Sequence, residues 1–186
     1  MGCGCGKKKG PTIHFMGQGN GQESNPEEWG PILWRYLHCL IHRVGHSGSP
    51  VMDTDQANYL EFMLQHLHNI LPCQECQAHA SQYIAHNQLP KLKGLYGENL
   101  RRTAQTWLFH FHNAVRSQKG QPIQIHTIEQ LEAEYNECFI PQCEFSLFTQ
   151  SVAFAVRHGW VRVDTWRKWY SYSERMKVLV SPPVVR

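Results

Sequence analysis

Apolar residues in this chain recur at three- and four-residue spacing, and no stretch alternates with period two for long enough to argue a sheet. The pattern predicts an all-α body. A first helix starts near Ser24-Asn25-Pro26-Glu27, where Ser24 caps and Glu27 follows three residues on; it runs to Val44 with an early interruption at Gly30-Pro31. Asp53 with Gln56 offers the next capping pair, after which Leu60, Met63, Leu67 and Ile70 keep helical register. Pro72 suits a helix start, so residues 73–86 read as a third helix with two cysteines in its first turn. Leu100, Ala104, Trp107, Phe111 and Val115 form the stripe of a fourth, which Lys119-Gly120-Gln121-Pro122 stops. Thr127 with Gln130 caps a short fifth helix carrying Ile128, Leu131 and Tyr135.

The 186 residues, 41% hydrophobic and 18% charged, fit one compact domain with appendages and can bury a real core. Such a composition excludes a disordered chain, and no apolar run approaches the roughly 20 residues of a membrane span. The lysines at 7–9 have no apolar segment behind them, which argues against a cleaved secretory signal. A formal charge of +3 gives no ground for nucleic-acid binding. Its distribution says more. Residues 144–186 carry a net +4 together with Trp160, Trp166, Trp169, Tyr170 and Tyr172, whereas residues 1–143 sum to −1. The chain therefore reads as a flexible Gly/Cys/Lys-rich arm (1–26), a body (27–143) and a separate basic, Trp-rich, helical extension (144–186).

Chemistry enters with the cysteines. Six of the seven fall into close pairs, Cys3/Cys5, Cys73/Cys76 and Cys138/Cys143, while Cys39 reads as a small buried residue in mid-helix. A C-x-x-C at a helix N-terminus suits thiol–disulfide exchange, because the helix dipole and unpaired N–H groups stabilise a thiolate. The same cysteines with His79 and His86 also resemble a zinc site, so spacing alone leaves a redox centre and a small zinc-binding interaction module both open. Two aromatic clusters favour the first. Trp34, His38 and His42 share one helical face, and Trp107 is followed a turn later by His110 and Phe111. Indole and imidazole groups aimed at a reactive C-x-x-C make a pocket for a flat aromatic cofactor.

The succession W-G-P-x-x-W-x-x-L-H (29–38), P-C-x-x-C (72–76) and W-L-x-H-x-H-N-x-V (107–115) resembles the Erv/ALR family of FAD-dependent sulfhydryl oxidases. It looks most like the members encoded by large cytoplasmic DNA viruses. The resemblance implies a four-helix bundle with a short fifth helix, FAD at the bundle's mouth, and a homodimer. It implies oxidation of protein dithiols, a thioredoxin-like relay protein among the candidate substrates, with oxygen reduced to hydrogen peroxide. Cys73 would exchange with incoming thiols and Cys76 would lie nearest the flavin. Gly30, Trp34, His38 and His42 would contact the cofactor from the first helix, and Trp107, His110, His112, Asn113 and Val115 would line its adenine and ribose side. Arg116 stands where the family commonly has asparagine; with Lys119 it would meet adenine or the cofactor phosphates. Phe109 stands where many cellular members have a structural cysteine. The implied place is the cytoplasm of an infected cell or a virion, with the mitochondrial intermembrane space as the alternative.

The remaining cysteine pairs keep several readings. Cys138 and Cys143 can close a loop, either as a static clip or as a shuttle relaying electrons to Cys73 and Cys76. Cys3 and Cys5, in a C-G-C on a glycine-rich arm, read as an exchange-prone shuttle. The same atoms read as a lipid anchor, with Gly2 myristoylated, Cys3 palmitoylated and Lys7-Lys8-Lys9 drawn to an anionic membrane. A third reading gives the arm neither role.

Overall fold

Local chemistry fixes where several of the helices begin. The computed structural model describes residues 25–136, 138 and 142–181, with only the backbone of 142–144; the readings on Gly2, Cys3, Cys5 and the Cys143 side chain lie outside the described residues. Helix α1 (Pro26–His42) is capped by Asn25, whose side chain accepts from the Glu27 N–H at 3.0 Å, with Pro26 in the first turn. It runs unbroken through Pro31. A proline there removes only the bond to the Glu27 carbonyl, one turn from an exposed helix end where water replaces it. Helix α2 (Pro50–Gln65) starts earlier than Asp53 and Gln56 suggest, because Ser49 caps it and Pro50 opens it.

Asp53 and Gln56 are buried corner pieces instead. Asp53 accepts from the Ser47 hydroxyl at 2.6 Å and the Gly97 N–H at 2.7 Å; Gln56 accepts from Gly45 N–H and donates to the Leu179 carbonyl. Gly45, at φ +78°, passes so close that a Cβ would strike the Gly97 carbonyl, so only glycine fits. A 3-10 turn (Leu67–Ile70) follows α2. Helix α3 (Gln74–His86) begins just after Cys73, α4 (Gly97–Gln118) is the longest, and α5 (Ile128–Tyr135) is capped by Thr127 through the Gln130 N–H, as its sequence predicts. Helices α6 (Gln142–Arg157) and α7 (Val163–Val180) complete the order. No strand occurs among the described residues, and the all-α expectation holds.

Helix α1 lies at the centre, with α4 and α5 on one side and α6 on another, while α2 packs against α4 and α7. From the segment expected to stand apart (144–186), helices α6 and α7 close on α1 and α2 and share their core. Phe148, Trp169 and Met176 are fully buried in the same cluster as Leu37, Leu60 and Met63. Polar contacts pin α7 as well: besides the Gln56–Leu179 bond, Trp169 Nε1 donates to the Met63 carbonyl at 2.9 Å and the Tyr36 hydroxyl to that of Ser173 at 3.4 Å.

Cys39 also departs from expectation. It forms a disulfide with Cys138, 99 residues on, with Cα atoms 5.6 Å apart. Cys39 is thus not an isolated core thiol, and the bond seen at Cys138 among the described residues runs to α1. The Arg43 guanidinium adds two hydrogen bonds to the Cys138 carbonyl, at 2.9 and 3.3 Å.

Candidate active site

Cys73 is the N-cap of α3, in extended conformation, and its Sγ accepts the Cys76 N–H at 3.1 Å. The two cysteines are joined in a disulfide, with Cα atoms 5.2 Å apart. When that bond is reduced, the same N–H and the positive end of α3 favour a thiolate on Cys73. Cys73 is 3% exposed and Cys76 is half-buried.

Both cysteines line a cavity of about 400 Å³. Much of its wall is apolar, with Trp29, Leu33 and Trp34 from α1, Phe111 and Val115 from α4, and Leu67 and Leu71 before the cysteines, while Glu75, His79, Gln118 and Lys119 add polar lining. A second cavity of about 560 Å³ shares Pro26, Gly30, Trp34, Val115 and Lys119 with the first and carries the polar end, with Arg35, His112, Arg116 and Tyr135. The two form one cleft, mostly apolar beside the disulfide and with a cationic excess farther out, where Arg35, Arg116 and Lys119 outnumber Glu27. A flat ring system joined to a diphosphate fits that gradient, since its ring needs indole and phenyl walls and its phosphates need Arg35, Arg116 and Lys119.

An aromatic stack closes the back of the cleft. The Trp34 indole lies parallel to His112, with centroids 4.2 Å apart, and meets Phe111 edge-on at 5.4 Å. His112 Nδ1 and His38 Nε2 are 3.1 Å apart, one donating to the other, and His38 stacks on Tyr135 at 5.0 Å. Burial pushes His38 down to about 3, with His112 beside it adding to the shift. Burial and the Arg116 charge bring His112 to about 4, so both imidazoles are neutral at pH 7.

Gly30, Trp34, Cys73, Cys76, His112, Val115, Arg116 and Lys119 thus meet at the cleft. His38 stands behind it, and Asn113 donates to the Ile125 carbonyl at 3.2 Å, fastening the chain beyond α4. His42, Trp107 and His110 lie elsewhere. His42 faces a hollow with His46, Arg101 and Glu132; Trp107 and His110 border another with Tyr83 and Asn87, whose carbonyl accepts from Trp107 Nε1 at 2.8 Å. The helical stripes are real but outrun the cleft: two turns of α1 separate residue 42 from Trp34, about 12 Å of rise. His79 lines the cleft 3.9 Å from Glu75, and His86 Nδ1 bonds the Gln82 carbonyl on its own helix. No group of three or more His, Cys, Asp or Glu among the described residues could hold a metal ion. Trp29 opens the W-G-P motif and Leu33 adjoins Trp34, so the sequence placed both beside residues it singled out. Tyr135 carried no such signal.

The sequence profile of the Erv1 / Alr family matches residues 31–136, more than half of the chain. The protein belongs to the Erv1/Alr family. Among its relatives is a protein of Invertebrate iridescent virus 3 named as an FAD-linked sulfhydryl oxidase, 30% identical over 98 residues, which are 53% of this chain and 60% of that one. The FAD-linked sulfhydryl oxidase of African swine fever virus is 30% identical over 95 residues, covering 51% of this chain and 71% of the viral protein. The matched stretch thus spans less than two thirds of the iridescent virus relative. No solved structure matches the chain significantly. The Erv1/Alr match takes in α1 from Pro31 through the end of α5 and stops short of α6 and α7.

Proposed function

We infer that this protein is an FAD-linked sulfhydryl oxidase that makes disulfides in protein thiols. One observation carries the reading: the Cys73–Cys76 disulfide, at a helix N-terminus, forms part of the wall of an apolar cleft faced with Trp34 and Phe111. Family membership and the names of the two viral relatives support it.

A substrate thiolate attacks Cys73 Sγ, the bond to Cys76 breaks, and the electron pair leaves on Cys76 as a thiolate. The second substrate thiolate attacks the substrate sulfur of that mixed disulfide and releases Cys73. The substrate leaves oxidised by two electrons, and Cys73 and Cys76 remain reduced. The Cys76 N–H and the end of α3 hold the Cys73 thiolate. Trp34, Phe111 and Val115 would clasp a flavin and Arg116 and Lys119 its phosphates, and FAD bound there supplies the acceptor that passes the electron pair to oxygen, giving hydrogen peroxide. A homodimer, which the family resemblance supports, and residence in infected-cell cytoplasm or a virion, which the viral relatives support, belong to the same proposal.

The purified protein should carry a flavin absorption band. Cys76→Ala should keep the band and lose dithiol-dependent oxygen consumption, because the cleft's aromatic and cationic groups are untouched. Turnover at the wild-type rate in that variant, or a protein that takes up no FAD, would overturn the assignment.

A further inference from the structure

The turn between α6 and α7, outside the family match, reaches the redox centre through one side chain. Gln77 lies one residue past the C-x-x-C. Its amide nitrogen donates to the Leu71 carbonyl at 2.8 Å and to the Trp160 carbonyl at 3.0 Å, using both of its N–H bonds. Its backbone N–H donates to the Cys73 carbonyl at 2.9 Å. One residue thus grips the segment leading into the helix at Leu71 and at Cys73, and ties it to a point 83 residues away.

That distant point is itself held. Gly159, at φ +73°, turns the chain; Trp160 N–H and Val161 N–H both donate to the Ala155 carbonyl, and the Trp160 indole packs on Phe154 and His158. The Trp160 carbonyl is therefore an anchor, and Gln77 spans from it to the residues that set the Cys73 backbone.

We propose that Gln77 is a positioning residue for the Cys73–Cys76 couple, and that the α6–α7 turn acts on Cys73 through it. The proposal rests on the redox reading of that pair. Cys73 Sγ accepts the Cys76 N–H only while Cys73 keeps its extended N-cap conformation, and the Leu71–Cys73 segment fixes that conformation. Loosening the segment frees the sulfur from its donor and uncovers it. Glu75, His79 and Lys119 line the same cavity as the cysteines, and Arg157, His158 and Arg162 are the titratable groups of the α6–α7 turn. A neutral substitution at Gln77 leaves all six in place.

Gln77→Met keeps the side-chain length and removes both donors. The full-length chain, reduced and freed of reductant with oxygen excluded throughout, is alkylated with iodoacetamide across a range of pH, and Cys73 labelling is read by peptide mass. The midpoint should rise, lowering the thiolate fraction at neutral pH about three- to tenfold, while the high-pH plateau rate increases because Cys73 is less covered. Gly159→Ala, strained at its positive φ, should move the midpoint the same way by less, since the Leu71 bond survives. Gln74→Met, at an exposed position of the same turn, should change nothing. A Gln77→Met profile that overlays the wild type at every pH overturns the proposal, even if the melting temperature falls. Should that variant fail to fold, an unshifted Gly159→Ala midpoint overturns it instead. The titration needs neither FAD nor turnover, so its failure leaves the oxidase assignment standing, and loss of that assignment leaves the titration interpretable.

Discussion

The pair of imidazoles behind Trp34 makes the stability of the site a function of pH. An unfolded histidine titrates near 6.5, whereas His38 and His112 stay neutral down to about 3 and about 4. Between those values and 6.5 the unfolded chain binds more protons than the folded one. Stability is therefore complete above pH 6.5 and falls as the pH drops toward 4. Burial lowers His42 and His68 in the same direction, so they steepen the slope without creating it alone. Melting temperature should decline across this window, and His112→Phe should flatten the decline while keeping an aromatic face against Trp34; an unchanged slope would show that the pair is not its source. At this scale the sequence was legible where spacing is local. The Trp34–His38 succession pointed to an aromatic site, but His38 meeting Tyr135 depends on a fold that brings together residues 97 apart.

Among the elements, capping chemistry separated what could be read from what could not. Thr127–Gln130 and the Cys73–Cys76 helix start follow from their own few residues. Asp53–Gln56 has the same form but serves a buried corner, because Ser49-Pro50 offers α2 a better start and Gly97 and Gly45 need acceptors. The Cys39–Cys138 bond was equally hidden, since cysteine spacing carries no record of a partner 99 residues away. The Cys39–Cys138 bond fastens the chain just beyond α5 to the last turn of α1, beside the His38–Tyr135 stack. Cys39→Ala should therefore cost about 2–4 kcal/mol of stability, and release FAD faster than the wild type. Thermal melts and the rate of flavin loss on dilution check this; a variant with wild-type values in both would return Cys39 to the role of a simple core residue.

For the molecule as a whole, the change in composition near residue 144 marks a change in surface, not a boundary in the core. The basic residues that set the segment apart are mostly exposed, while Phe145, Phe148, Val152, Trp169 and Met176 turn inward at helical spacing and complete the burial of α1 and α2. Net charge reads the outside of a helix pair and says nothing of what its other face covers. The consequence is a single cooperative unit. Trp169→Ala, removing a fully buried indole that also bonds Met63, should cost about 3–5 kcal/mol, and should lower the one unfolding transition that flavin fluorescence and circular dichroism both follow. Two transitions, with the flavin signal unshifted, would mean that the α6–α7 pair folds apart from the site.

The bond between Cys39 and Cys138 also has a topological meaning. The residues it encloses include all of α2, α3, α4 and α5, with the far smaller Cys73–Cys76 loop nested inside. A protease nick anywhere between the two outer cysteines leaves both fragments covalently joined, so the chain can be cut in its middle and still hold its cleft on one connected body.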